Sequence, residues 1–306
     1  MYDLLIIGGG PAGVAAGVYA GRKKMKTVLI AEGFGGQSLV SADIQNWIGE
    51  KSVSGFDWAK KLEEHLRAQQ SVEIAAGDSV VKIEKSKNGF KAATKNGKEL
   101  ETKTVLIASG SRRRKLGVPG EQELEGRGVA YCSTCDAPIF GGKVTAVVGG
   151  GNAGLEAVVD LLSYSPKVYL LDHSAALKGD PITQEKIKSD KRVEIILNAE
   201  TQKILGDKFV AGLQYKDLTN GAIKDIKLDG VFVEVGSIPN ADFVKNLVQT
   251  NNWGEIVVDH KTQRTSQDGI WAAGDVADVL YKQNNVSAGD AVKAVLNIYE
   301  YLNKQE

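Results

Sequence analysis

The chain has 306 residues, 42% of them hydrophobic and 25% charged, an ordinary globular composition with room for about two domains. Lys plus Arg and Asp plus Glu both total 38, so no bulk charge draws the chain to nucleic acid or an anionic membrane. The 35 glycines fall in short motifs rather than in low-complexity tracts.

The N-terminus, MYDLLIIGGGPAG, has neither a basic n-region nor a cleavage site, so no signal peptide is expected. The apolar run 4–18 is too short and too interrupted by glycine and proline to span a bilayer. A cytosolic protein is the expectation, and thiols there are kept reduced. Residues 3–20, DLLIIGGGPAGVAAGVYA, and 144–161, VTAVVGGGNAGLEAVVDL, read as one unit used twice. Each opens with an apolar run suited to a buried parallel strand. Each continues with G-x-G-x-x-G, first as Gly8, Gly10 and Gly13, then as Gly149, Gly151 and Gly154, and then becomes a helix rich in Ala, Val and Leu. Glycines so spaced allow a tight turn, close approach of a pyrophosphate and close helix–strand packing, with the helix N-terminus toward the phosphates.

The first copy is followed by the strand KTVLIAE, which ends in Glu32, 24 residues after Gly8. The second is followed by KVYLLDH, which brings Asp172, 23 residues after Gly149. An acid at that distance accepts a hydrogen bond from a ribose hydroxyl. Two glycine turns in an ordinary α/β protein are the plainer alternative. Two dinucleotide sites imply FAD with a nicotinamide cofactor, the pairing between which hydride passes.

TVLIASGS, residues 104–111, reads as a strand and turn returning to the first fold. GIWAAGDVAD, residues 269–278, reads as a short strand ending in Gly274 and Asp275; the aspartate is placed for the flavin's ribityl or pyrophosphate region, or serves a simple turn. Apolar residues at 292, 295, 296, 299 and 302 predict a terminal helix starting near 283–286. Its positive end would stabilise an anionic reduced flavin, or the helix is simply packed. The fold expected is α/β, with two Rossmann-like three-layer domains. A FAD domain over 1–113 and 242–306 is interrupted by an inserted NAD(P) domain over 117–240. The crossings, 110–120 and 235–242, contain glycine and proline. The RRRK run 112–115 is expected to be a solvated hinge face.

YCSTCDAPIF, residues 131–140, holds the only two cysteines, Cys132 and Cys135. A structural zinc needs four ligands, and His65, His173 and His260 show no paired zinc spacing, so no metal is expected. A structural disulfide is out of place in the cytosol, and a redox pair fits best, because C-x-x-C closes a small ring and lowers the pKa of one thiol. Asp136 follows as a proton donor or acceptor for exchange, or as an N-cap for the next segment.

The flavin fingerprint, C-x-x-C-D and second fingerprint, in that order, resemble the low-molecular-weight thioredoxin reductases over essentially the whole chain. Several segments are similar, more closely still, to the reductase part of the flavoprotein component of alkyl hydroperoxide reductase: FGGQ (34–37), DIQNWI (43–48), GGGNAGLEAVVDL (149–161), RVEIILNAET (192–201) and LYKQ (280–283). The resemblance implies a homodimer in which the nicotinamide domain rotates about its two linkers, so that either the coenzyme or the disulfide meets the flavin. It implies Cys135 as the flavin-proximal thiol, Cys132 as the interchange thiol and Asp136 as the acid/base. It makes Gly36, Gln37, Asn46, Asp275 and Gln283 flavin-contacting positions. With the fingerprint and its neighbours, the candidate FAD set is Gly8, Gly10, Pro11, Ala12, Gly13, Glu32, Gly36, Gln37, Asn46, Ala108, Ser109, Gly110, Gly274, Asp275, Lys282 and Gln283. The candidate nicotinamide set is Gly149, Gly151, Asn152, Ala153, Gly154, Glu156, Asp172, His173 and Gly236. Ala137 stands where the family often has glycine, and Asn284 and Asn285 where it has an apolar pair. The hydroperoxide reductase flavoproteins carry an additional thioredoxin-like module. Because this chain starts at the FAD strand, a separate thioredoxin- or glutaredoxin-like partner is expected to take the electrons.

NADPH-dependent members of that family have H-R-R where this chain has Asp172, His173 and Ser174. An aspartate repels a 2′-phosphate and accepts from a free 2′-hydroxyl, so NADH is expected over NADPH, with Lys178 the residue that could reverse it. Two other readings stay open: an NAD(P)H oxidase or ferredoxin-type flavoprotein reductase that does not use the cysteines, and a flavin redox sensor without turnover.

Overall fold

The computed structural model describes residues 1–41, 44 and 46–304, and of residues 40 and 135 the backbone alone. Asp43 and Gln45 of DIQNWI, and the side chain of Cys135, lie outside the described residues. The chain forms two compact units, 1–112 with 238–306 and 113–237. The return to the first unit thus falls at 238, a little before the 242 read from the sequence.

In the first unit, parallel strands lie side by side in the order Val72–Ala76, Thr27–Ala31, Tyr2–Ile7, Glu99–Ile107 and Ile270–Ala272. In the second, the order is Val193–Ile196, Lys167–Leu171, Val144–Val148, Gly230–Val233 and Val129–Ala130, again all parallel. The same arrangement is therefore built twice, each time around the strand that leads into a glycine fingerprint. These strands read as continuous apolar runs because both of their faces are covered. Leu4 and Ile6 pack with the helix Pro11–Arg22 in one cluster, while Leu5 and Ile7 pack in another on the opposite face. In the second unit Ala146 and Val148 divide from Val147 in the same way.

Each unit also carries an antiparallel meander that the sequence reading did not foresee. In the first it comprises Val80–Ser86, Gly89–Thr94 and Glu99–Ile107. In the second it comprises Ala199–Gly206, Val210–Asp217 and Ile223–Lys227. The strands are rich in lysine and glutamate, so their alternation is faint beside the fully apolar parallel strands.

The terminal helix runs Asn284–Asn303, but its buried stripe is Ser287, Asp290, Ala291, Ala294, Val295 and Ile298. Of the apolar positions that predicted the helix, Leu296 is exposed and only Val295 is fully buried. Alanines form much of the inner face because it packs in one cluster with Val14, Ala16 and Val18 of the first helix, and small side chains allow two helices to approach closely.

At the crossings, Asn240 N donates to Gly110 O at 2.9 Å in the first unit, and Arg114 N to Gly236 O at 3.0 Å in the second. The basic run is exposed along its length, and three of its residues are also partnered. Arg112 donates to Asn240 Oδ1 at 2.9 Å, Arg113 faces Glu234 at 3.5 Å, and Lys115 meets Glu125 at 2.6 Å. Among the described residues no helix is long and apolar enough to cross a membrane.

All four tryptophans (Trp47, Trp58, Trp253 and Trp271) belong to the first unit, so their fluorescence reads that unit. Leu106→Ala, which empties a fully buried position, is expected to destabilise it by about 2–5 kcal/mol, seen as a lower urea midpoint. Val81→Ala, at a half-exposed position, is expected to change it by less than about 0.5 kcal/mol.

Candidate active site

In both fingerprints the first and third positions are forced to be glycine by backbone contacts. Gly8 and Gly149 have φ of +116° and +125°. A Cβ on Gly8 would stand 2.2 Å from Ala108 O, and one on Gly149 2.2 Å from Glu234 O. One on Gly13 would stand 1.9 Å from Gly8 O, and one on Gly154 1.7 Å from Gly149 O. The helices that follow are N-capped by Gly10 and Gly151 without any side-chain cap hydrogen bond, and Pro11 occupies the first turn of the first helix. Their leading N–H groups, at Ala12 and Gly13 and at Asn152 and Ala153, are thus left for an anion.

Around the first loop, the structure gathers polar side chains from three distant stretches of chain. Gly36 and Gln37 open the short turn Gly36–Val40. Gln37 Nε2 donates to Ser111 Oγ at 2.9 Å and approaches Asp275 Oδ2 at 3.4 Å. Asn46 Nδ2 donates to Gln283 Oε1 at 3.2 Å, just before the terminal helix. Asn284 donates to Ser38 Oγ at 2.9 Å and Asn285 to Asn46 O at 2.6 Å, so these two asparagines tie the 38–46 segment to the helix start. Gly274, at φ +77°, turns the chain from the strand Ile270–Ala272 into Asp275. A Cβ on Gly10 would meet only the Gly36 Cα, at 3.8 Å, and one on Gly33 nothing within 4 Å. Bare N–H groups at a helix start, with amide and carboxylate groups beside them, fit a dinucleotide.

Other positions in the set have different surroundings. Ala108 is buried beside Gly8, and Ser109 Oγ donates to Asn240 O at 2.7 Å. Gly110 turns at φ +64°. Glu32 is exposed just beyond the strand Thr27–Ala31. The Lys282 ammonium is engaged by Ala277 O at 2.6 Å, Asp275 O at 3.2 Å and Glu255 at 2.9 Å, so it holds the 275–277 turn.

At the second loop, Asp172 is buried, and its Oδ2 accepts from Gly150 N at 2.5 Å while Oδ1 accepts from Ser174 N at 2.7 Å. A carboxylate has about four lone-pair positions, so the group is oriented without being saturated. His173 is exposed, with Nδ1 3.7 Å from Asp172 Oδ1. Asn152 Oδ1 accepts from Asp180 N at 2.7 Å, and Lys178 N donates to Gly150 O at 2.9 Å, so residues 178–180 fold onto the loop. Ala153, Glu156 and Gly236 are exposed.

The cysteine motif lies on the same edge of that sheet. The strand Val129–Ala130 runs parallel to Gly230–Val233, which runs parallel to Val144–Val148. Tyr131–Cys132, Glu234 and Gly149 therefore all leave from carboxyl ends, where α/β sheets bind ligands. Cys132 is in a disulfide and precedes the single helical turn Ser133–Asp136, closed by Asp136 N donating to Cys132 O at 3.0 Å. Asp136 makes no side-chain cap for the following turn, Ala137–Phe140, and burial pushes its carboxyl up from the usual range.

Two further acids support this motif and were not foreseen. Glu121, almost fully buried, accepts from Leu116 N at 2.9 Å, Gly117 N at 2.7 Å and Tyr131 Oη at 2.9 Å, fixing the residue before Cys132. The Glu234 side chain is 4% exposed and faces Arg113 Nη1 at 3.5 Å. Burial pushes its carboxyl up to about 7, against the pull of Arg113 and with a further push from Asp160 and Glu156. The available sequence signal was a single acid closing the apolar run GVFVEV.

A family model described as pyridine nucleotide-disulphide oxidoreductase matches residues 2–294. The chain belongs to that family. It is 39% identical over 301 residues to a Staphylococcus epidermidis subunit of alkyl hydroperoxide reductase, covering 98% of this chain and 59% of that protein. It is 41% identical to a Bacillus subtilis protein named NADH dehydrogenase, covering 98% and 58%. The chain thus spans under three-fifths of the length of these curated relatives. Among solved structures, Lactococcus lactis thioredoxin reductase superposes with a TM-score of 0.83 at 33% identity, over 99% of this chain and 100% of that one. Thioredoxin reductase of T. acidophilum follows with a TM-score of 0.80 at 36% identity, over 99% of each. The resemblance read from the motifs and the two-domain α/β fold expected from them are those of this family.

Glu234 gives the stability of this pyridine nucleotide-disulphide oxidoreductase a pH dependence. Between 4.5 and about 7 the folded chain keeps a proton that the unfolded chain releases, so stability falls as pH rises through that window and levels off above it. Glu234→Gln is expected to remove about 2–4 kcal/mol of that fall, measured by urea unfolding followed by circular dichroism at successive pH values.

Proposed function

We propose that the chain is a flavin-dependent disulfide reductase that passes electrons from NADH through FAD and the Cys132–Cys135 pair to a thioredoxin- or glutaredoxin-like dithiol protein. The observation that carries this reading is an oxidised Cys132 on the same sheet edge as a dinucleotide-type glycine loop, one helical turn from a carboxyl that burial keeps protonated more readily. Gly10, Pro11, Ala12 and Gly13 would hold the FAD pyrophosphate, with Gln37, Asn46, Asp275 and Gln283 along the rest of the molecule. A flavin bound there supplies a two-electron relay between nicotinamide and disulfide. Gly149, Gly151 and Gly154 would seat the nicotinamide dinucleotide, and Asp172 would accept from its ribose. The aspartate's charge disfavours a 2′-phosphate, and the name of the Bacillus subtilis relative supports the same donor.

Two electrons break the cysteine bond, and with one proton leave one thiolate and one thiol. Asp136 would supply that proton and take it back. The Cys132 thiolate attacks the partner's disulfide, and Cys135 then attacks the mixed disulfide and releases the partner as a dithiol. A homodimer in the cytosol belongs to the same reading, supported by the thioredoxin reductase resemblance.

Anaerobic titration of the flavin-loaded protein with NADH is expected to take about two equivalents per chain, one for the flavin and one for the disulfide. Cys132→Ser is expected to take one and to lose disulfide reduction while keeping flavin reduction; full activity in that variant would favour an oxidase that ignores the cysteines. The ratio of kcat/KM for NADH to that for NADPH is expected to exceed about ten, and Asp172→Ala to narrow it; a preference for NADPH would overturn the donor assignment.

A further inference from the structure

Ser133 and Thr134 are the two residues between the cysteines, and both hydroxyls turn to one atom. Ser133 Oγ donates to Asp160 Oδ2 at 2.7 Å, and Thr134 Oγ1 donates to the same oxygen at 3.4 Å. Ser133 is buried and Thr134 exposed, so the first bond is both the shorter and the better shielded. Asp160 is the last residue but one of the helix Asn152–Leu161, which starts from the second glycine loop. An acid in the last turn opposes the helix dipole, so the stability of the helix does not account for it. The helix itself is fixed: Leu155, Val158 and Leu161 pack in one cluster with Ala130 and Ala137. Those alanines stand two residues before Cys132 and two after Cys135. The motif is therefore anchored at both ends by the core and in the middle by the Asp160 carboxylate.

Reduction opens the ring that runs from Cys132 to Cys135 and frees the dipeptide inside it. The hydrogen bonds to Asp160 are made while Cys132 is in its disulfide. If opening the ring breaks them, reduction loses their energy. If they persist, the dipeptide gains none of the freedom that opening would release. Both effects have one sign and favour the disulfide. We propose that Asp160 is a positioning residue for the redox pair: by holding Ser133 and Thr134 it lowers the reduction potential of Cys132–Cys135, and so makes the dithiol a stronger donor to the partner's disulfide. The inference rests on the disulfide reductase reading given above. One hydrogen bond of ordinary net strength changes such an equilibrium about three- to tenfold. For a two-electron couple that is about 15–30 mV.

The test is made on the whole chain with its flavin bound, equilibrated anaerobically in mixtures of dithiothreitol and its cyclic disulfide. The Cys132–Cys135 bond breaks and takes two electrons and two protons from dithiothreitol, whose own thiols close to a disulfide. Samples are quenched in acid and alkylated, and the peptide carrying both cysteines is read by mass spectrometry. Ser133→Ala is expected to raise the ratio of dithiol to disulfide about three- to tenfold, and Asp160→Ala at least as far. Asp160→Asn, whose amide oxygen still accepts, is expected to stay within about twofold of the wild type. A purely structural role would lower the urea midpoint followed by circular dichroism and leave the ratio in place. A ratio in Ser133→Ala equal to or below that of the wild type would overturn the proposal. So would an Asp160→Asn ratio displaced as far as that of Asp160→Ala, which would assign the effect to charge and not to the hydrogen bonds. Titration with NADH separates the two readings: uptake of a single equivalent, with the expected displacement in dithiothreitol, would reject the electron route and leave the role of Asp160 standing.

Discussion

The molecule depends on one steric constraint, imposed twice. In each unit the first glycine of the fingerprint presses against the carbonyl of the residue just after the neighbouring strand, Ala108 in one case and Glu234 in the other. Any side chain at Gly8 or Gly149 would drive the loop away from the sheet, and the helix that follows could not begin where it does. With the contact made, the helix start faces the carboxyl edge with its first N–H groups bare, and the third glycine lets the helix close onto the loop. The dinucleotide-type cradle is thus a by-product of backbone packing, which is why so few side chains are needed to specify it.

The same edge then carries different chemistry in the two units. In the first, the outermost parallel strand, Ile270–Ala272, delivers Gly274 and Asp275 beside the loop. In the second, the outermost strand, Val129–Ala130, delivers Tyr131 and Cys132. The two positions are equivalent in the sheet. In the first unit the strand comes from the end of the chain and in the second from just before the glycine loop, so a polar turn and a redox motif occupy corresponding places.

Around the cysteine motif the electrostatics are dominated by carboxylates rather than by cations. Glu121 secures the segment before Cys132 through two backbone N–H groups and a tyrosine hydroxyl, and Asp160 takes the Ser133 hydroxyl. A buried carboxylate is tolerated when hydrogen bonds meet it, and each of these has them.

The repeated fingerprint, its following strands, the cysteine pair and the interruption of one domain by another were legible in the sequence, because glycine spacing and uninterrupted apolar runs have few alternative explanations. The meanders were not, since lysine- and glutamate-rich strands carry little apolar contrast. Nor was the inner face of the terminal helix, because alanines and a buried Asp290 mark it rather than the larger apolar residues that made the helix recognisable. Glu121, Glu234 and the individual pairing of Arg112, Arg113 and Lys115 came only with tertiary structure. Local spacing determines where a backbone can turn and which face of a strand is apolar, whereas the charge state of an acid depends on which distant residues remove its water and supply its hydrogen bonds, and only the folded chain decides those.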